Sequence, residues 1–216
     1  MASDTAISRT GKIVDNDFFH DRSQAIRRHA NPADFDLPEQ YFLFVGAFTE
    51  EKNIDGLIYA YLAYRAGGGR WSLVLAGDGP ERRKLEVLAA SSGFTRDIYF
   101  TGARSEAERP QYYAFAGCFV LPSTREAWGL EANEAMAAGL PVIVSRACGC
   151  AQDLLREGEN GCSFDPDLPG DLAGCLRAVS ALGADSLLDM GCCSMAIIAR
   201  FSPEARTAEA TRIAQF

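Results

Sequence analysis

Two glutamates separated by seven residues, Glu126 and Glu134, flank the stretch of this chain best equipped to do chemistry. Ahead of them the apolar run Cys118-Phe119-Val120-Leu121 reads as a short buried strand that Pro122 ends. Beyond Gly129 come good helix formers, Leu130, Glu131, Ala132, Glu134, Ala135, Met136, Ala137 and Ala138; Gly139 then stands where a helix C-cap belongs and Pro141 follows it. Glu126 therefore falls in the loop and Glu134 in the opening turns of the helix. The N–H groups of Gly129, Leu130 and Glu131 lie at the helix start, lack intrahelical partners and can receive an anion. Glu131 itself reads as a solvated residue that suits the positive end of the helix dipole. Free amides beside two carboxylates suit a phosphorylated sugar nucleotide, because amides take phosphate and carboxylates take hydroxyls.

The elements that must hold these groups follow from periodicity. Tyr41-Phe42-Leu43-Phe44-Val45-Gly46 is a continuous apolar run of the kind buried on both faces of a parallel sheet. Ile54, Leu57, Ile58, Tyr61 and Leu62 recur at helical spacing after it. Further strands are expected at 71–77, 98–102, 118–121, 142–145 and 161–164. Helices are expected from Pro80 to Gly93, Pro110 to Ala116, Asp171 to Leu182, Asp185 to Phe201 and Ser202 to Ala214. Strands alternating with helices across short loops predict an α/β fold, a doubly wound parallel sheet of about six strands. Its polar and glycine-rich turns, at 46–53, 77–80, 102–104, 123–129 and 145–149, then share the rim where such sheets bind ligands.

Composition narrows the partners. The chain has 216 residues, 48% of them hydrophobic, and a net charge of −8, enough length for a full core. That charge argues against a nucleic-acid surface and weakens attraction to anionic membranes. The N-terminus Met1-Ala2-Ser3-Asp4-Thr5-Ala6-Ile7 has no signal-peptide core, and no apolar run approaches membrane-spanning length, so a cytoplasmic location is expected. The seven cysteines are scattered and only two histidines accompany them, so zinc is not expected and the thiols read as free and buried. Asp15 and Asp17 read as a solvated turn.

The run Pro122-Ser123-Thr124-Arg125-Glu126-Ala127-Trp128-Gly129, followed by Glu134-Ala135-Met136-Ala137-Ala138-Gly139-Leu140-Pro141-Val142, resembles the donor-site signature of the group 1, retaining GT-B glycosyltransferases. The resemblance covers roughly residues 13–216 and implies the Rossmann-like C-terminal domain of a GT-B fold. Residues 1–40 would be linker and remnant of the interdomain connection, with a short strand and turn at 13–19 and a connecting helix and loop over 21–38. Residues 41–216 would be the sugar-nucleotide domain. By the same resemblance Lys52, in the turn Gly46-Ala47-Phe48-Thr49-Glu50-Glu51-Lys52-Asn53, contacts the donor diphosphate and stabilises it as a leaving group. Glu126 faces the sugar ring and Glu134 the ribose hydroxyls. Trp128, Gly129 and Leu130 line the donor beside Gly46, the Gly77-Asp78-Gly79-Pro80 turn shapes its nucleotide side, and the Thr101-Gly102-Ala103-Arg104 turn meets the base. Cys148-Gly149-Cys150-Ala151-Gln152-Asp153 stands in the place of the family's Gly-Gly-x-x-Glu loop.

One departure is plain: the family's arginine in the first turn is Ala47 here, and Arg104 and Arg125 are the candidates to replace it. The reaction implied is transfer of a hexose from a nucleoside-diphosphate sugar to a sugar or lipid acceptor, without a metal or other cofactor. A separate acceptor-binding half would complete the enzyme. A non-catalytic sugar-nucleotide-binding module and an inactive fragment are the alternatives. The last helix is expected to leave apolar surface that favours self-association.

Overall fold

In the computed structural model of the protein, which describes residues 13–202, the six apolar runs are strands: β1 (Tyr41–Val45), β2 (Ser72–Ala76), β3 (Ile98–Phe100), β4 (Cys118–Leu121), β5 (Val142–Ser145) and β6 (Gly161–Phe164). All pair in parallel, in the order β3-β2-β1-β4-β5-β6. The chain thus winds outward in one direction from β1 and in the other from β4, which makes the gap between their carboxyl ends the topological switch point.

Helices cover both faces, so alternate strand residues enter two different apolar layers. Tyr41, Leu43, Val45, Phe119 and Leu121 pack into one; Phe42, Phe44, Cys118 and Val120 pack into the other. The first layer is closed by α1 (Asn16–His29), α4 (Arg109–Phe115), α5 (Leu130–Ala137) and the end of α8 (Ala184–Ile198). The second is closed by α2 (Ile54–Ala66), α3 (Arg82–Ala90) and α7 (Asp171–Ser180). A short helix, α6 (Ala151–Leu154), follows β5. Among the described residues no single helix is long and apolar enough to cross a membrane. The helix expected over 202–214, with the apolar surface expected on it, falls outside the described residues except for Ser202.

Three expectations change. The strand and turn expected at 13–19 are absent, and a helix begins at Asn16 instead. Asp15 caps it by accepting from the Phe18 N–H at 2.9 Å, and Arg27, Arg28 and His29 close it at the end the dipole prefers for cations. What fixes α1 is tertiary. Its Phe19 packs edge-on against Tyr113 of α4, with ring centroids 5.9 Å apart, and Arg27 donates to the backbone oxygens of Ala114 (2.6 Å) and Tyr113 (3.3 Å). Packing therefore does not stop at residue 40. Arg27 also satisfies carbonyls that the last turn of α4 leaves open.

The cysteines are the second change. Cys162 on β6 and Cys175 on α7 form a disulfide, while Cys118, Cys148 and Cys150 are buried free thiols. The pair is formed because β6 lies directly against α7, a proximity that a sequence separation of 13 does not announce. The third is small: the helix expected over 185–201 ends at Ile198 and tightens into a 3-10 turn over Ala199–Phe201.

Candidate active site

The loops leaving β1 and β4 meet over the switch point, and hydrogen bonds to main-chain carbonyls hold them there. The Asn53 side chain donates to the Pro122 carbonyl at 3.0 Å, and the Thr124 N–H donates to the Glu51 carbonyl at 2.9 Å. From the β2 side the Phe48 N–H donates to Asp78 (2.9 Å) and the Glu81 N–H to Phe48 (3.0 Å). Gly77 and Gly79 make this approach possible: a Cβ on Gly77 would lie 1.9 Å from the Gly46 carbonyl oxygen, and one on Gly79 would lie 2.5 Å from that of Phe48. These two glycines thus carry the lysine loop.

That loop delivers Lys52 to Glu126. The ammonium nitrogen is 2.5 Å from Glu126 Oε2 and 3.7 Å from Glu131 Oε2, with all three side chains about four-fifths buried, at 15%, 19% and 21% exposure. Burial disfavours the charge on Lys52, but Glu131 and Glu126 outweigh it and hold the ammonium above its ordinary pKa. Glu131, expected as a solvated dipole partner, is a member of this cluster. It also approaches Gly46, where a Cβ would come within 3.5 Å of its Oε1.

The loop after β5 holds Glu126 from the other side. Gly149 N–H donates to the Glu126 carbonyl at 2.9 Å, Cys150 N–H to that of Trp128 at 3.3 Å, and Glu126 and Cys148 form a parallel bridge. A Cβ on Gly149 would sit 2.1 Å from the Ala127 oxygen, so this clasp needs glycine. Trp128 is placed differently from a ligand-lining ring. Its indole N–H donates to Asn133 Oδ1 at 3.0 Å and its ring packs on Phe201, so the side chain is in the core and its backbone alone is at the loop. Gly129 turns the chain at φ 99°, where a Cβ would meet Leu121 at 2.5 Å, and Leu130 opens α5 with its side chain exposed.

Glu134 lies deeper, on the second turn of α5, and is nearly buried at 5% exposure. Its Oε1 accepts from Arg109 at 2.7 Å and its Oε2 from the Tyr113 hydroxyl at 2.8 Å. Burial pushes the Glu134 carboxyl up to about 7, against the pull of Arg109 and Tyr113 in the other direction. Sequence reasoning missed both partners. Their signal was the run Arg109-Pro110-Gln111-Tyr112-Tyr113, whose helix packs beside β1.

Arg104 is engaged within its own segment: it donates to the Thr101 carbonyl, lies 3.7 Å from Glu108 and stacks over the Tyr112 ring at 5.4 Å. Arg125 is exposed, with its charge acting on Glu51. Among the described residues, no group of three or more His, Cys, Asp and Glu side chains is arranged to hold a metal.

A lysine, carboxylates and a helix start converge on the switch point of a parallel sheet, and the match to known proteins follows the same lines. A family model described as glycosyl transferases group 1 covers residues 26–185. The chain belongs to the group 1 glycosyltransferases. One curated relative of the chain, the lipopolysaccharide core biosynthesis glycosyltransferase LpsE of Rhizobium meliloti, is 33% identical over 186 residues, which are 86% of the chain and 51% of the relative. The fold is that of the C-terminal domain of the group 1 protein LpcC from Francisella tularensis (TM-score 0.71, 23% identity, 86% of this chain and 96% of that one). It is also found in HepE of Anabaena in complex with UDP (TM-score 0.75, 20% identity, 94% and 56%). The chain is thus a Rossmann-like GT-B domain that spans about half the length of LpsE.

Proposed function

We propose that this chain is the donor half of a retaining hexosyltransferase, binding a nucleoside-diphosphate hexose for transfer to a sugar or lipid acceptor held by a separate domain or subunit. The observation that carries the reading is the Lys52–Glu126–Glu131 cluster at the switch point, beside the start of α5. Lys52 and the N–H groups of residues 129–131 face the diphosphate and stabilise the charge it gains on leaving. Glu126 holds sugar hydroxyls or the positive charge that develops at the anomeric carbon. As the bond from that carbon to the diphosphate oxygen breaks, the acceptor oxygen bonds on the same face and its proton passes to the departing phosphate. Glu134 accepts from the ribose hydroxyls. Lys52 and the amides do the neutralising, so no metal is required, and the chain works in the cytoplasm. HepE, a protein of the same fold, was solved in complex with UDP, which supports a nucleotide ligand.

A non-catalytic sugar-nucleotide-binding module is the second reading. It is favoured by Ala47 in the arginine position and by a lysine already occupied by two carboxylates. Isothermal titration with UDP-, GDP- and ADP-glucose tests the shared part of both readings. One base is expected to bind at micromolar to submillimolar Kd, with Glu134→Ala weakening it. No binding of any of the three would rule out a working donor site. Addition of an acceptor-binding half, with release of nucleoside diphosphate as the readout, separates enzyme from module.

A further inference from the structure

Glu134 is gripped from one direction. Both of its hydrogen-bond partners come from α4, which starts at Arg109 directly after the rim loop that leaves β3. Ordered lone pairs make this grip consequential. A carboxylate offers about four acceptor positions; Arg109 occupies one on Oε1 and Tyr113 one on Oε2, which leaves one on each oxygen. Two adjacent hydroxyls on a ribose ring fit that remainder, one to each oxygen. Tyr113 is fully buried and braced by Phe19 of α1 and Phe119 of β4, so its hydroxyl cannot swing away. Arg109 is the more exposed partner, at 29% against 6% for the Glu134 side chain, and its Nε also reaches the Arg104 carbonyl in the rim loop at 3.5 Å.

We propose that Arg109 is a positioning residue for donor recognition: it fixes the plane of the Glu134 carboxylate and ties it to the loop 101–105. The proposal rests on Glu134 being the ribose acceptor of the function proposed above. The ionisable groups acting on Glu134 are Arg109 and Tyr113 of α4 and Glu131 of its own helix. With Arg109 removed, burial and Glu131 both favour the protonated acid, which gives up an acceptor position and becomes a donor.

Arg109→Leu and Arg109→Lys in the full chain test this with two readouts. The first needs no ligand: the Glu134 carboxyl is titrated by carbon-13 NMR, and the wild-type midpoint is expected at about 7. The midpoint should rise in Arg109→Leu and return towards wild type in Arg109→Lys. The second is the affinity ratio between a nucleoside diphosphate and its 2′-deoxy analogue, measured from pH 6 to 9. Wild type should prefer the ribo form, increasingly as pH rises through 7, and Arg109→Leu should lose about tenfold of that preference near neutral pH. A merely structural role would weaken both ligands alike. An unmoved midpoint in Arg109→Leu overturns the clamp whatever the nucleotides do. A midpoint that rises in Arg109→Leu, together with a wild-type protein that shows no ribo preference, overturns the ribose role instead, and the positioning role with it.

Discussion

Lys52→Ala is expected to lower affinity for a nucleoside-diphosphate sugar by about a hundredfold, measured by titration against the wild-type chain. A charge-assisted contact to phosphate contributes about 1.5–3 kcal/mol, and the upper end applies here because nothing else in the cluster is cationic. Loss of the ammonium also leaves Glu126 and Glu131 facing the incoming anion without an opposing charge. Glu131→Gln supplies the control of opposite sign. It removes a competitor for Lys52 while keeping the side-chain volume, so affinity should rise. If both substitutions weakened binding equally, Lys52 would be holding the loop together and not facing phosphate.

The second large effect is on folding. Gly77→Ala is expected to cost on the order of 3 kcal/mol, read as a lower urea midpoint at unchanged m-value. The added Cβ would sit 1.9 Å from the Gly46 oxygen and 2.7 Å from the Phe48 ring, and Gly46 is held in place by its N–H, which donates to the Ala76 carbonyl at 3.1 Å. Gly174→Ala makes the contrast. It lies inside α7 with nothing within 4 Å of its Cβ position, and alanine there should stabilise by up to about 1 kcal/mol. A Gly77→Ala protein as stable as wild type would mean that the 46–53 loop is not seated on β2. Lys52 would then lack its support.

Much of this was legible in the chain itself. Tyr41–Val45 and Cys118–Leu121 could only be strands covered on both faces, and the alternation with helices leaves few ways to wind a sheet. The placement of Glu126 in a loop, Gly129 at a helix start and Glu134 within the helix was legible because a strand exit and a helix start are local features. What escaped reading depends on which surfaces meet. Trp128 sits inside the signature, yet Asn133 and Phe201 draw its ring into the core. Glu131 looks solvated in a helix considered alone and becomes a site residue only when the β1 loop brings Lys52 to it. Arg109 and Tyr113 are ordinary residues of a short helix until that helix lies under Glu134. A connecting helix was expected only from residue 21; its first turn, from Asn16, was obscured for the same reason, since its stabilising partner, α4, is about 85 residues away in sequence, as the separation of 86 between Arg27 and Tyr113 shows.

The pairing of Lys52 with two carboxylates has a consequence for how the ligand arrives. One cation between two anions leaves the cluster itself net negative, in a protein whose net charge is already −8. A doubly charged phosphate ligand therefore approaches uphill and is attracted only at the last step, when Lys52 exchanges a carboxylate for phosphate. Added salt screens the long climb more than the short final contact. Encounter should quicken with ionic strength, the reverse of the behaviour of a basic phosphate-binding cleft.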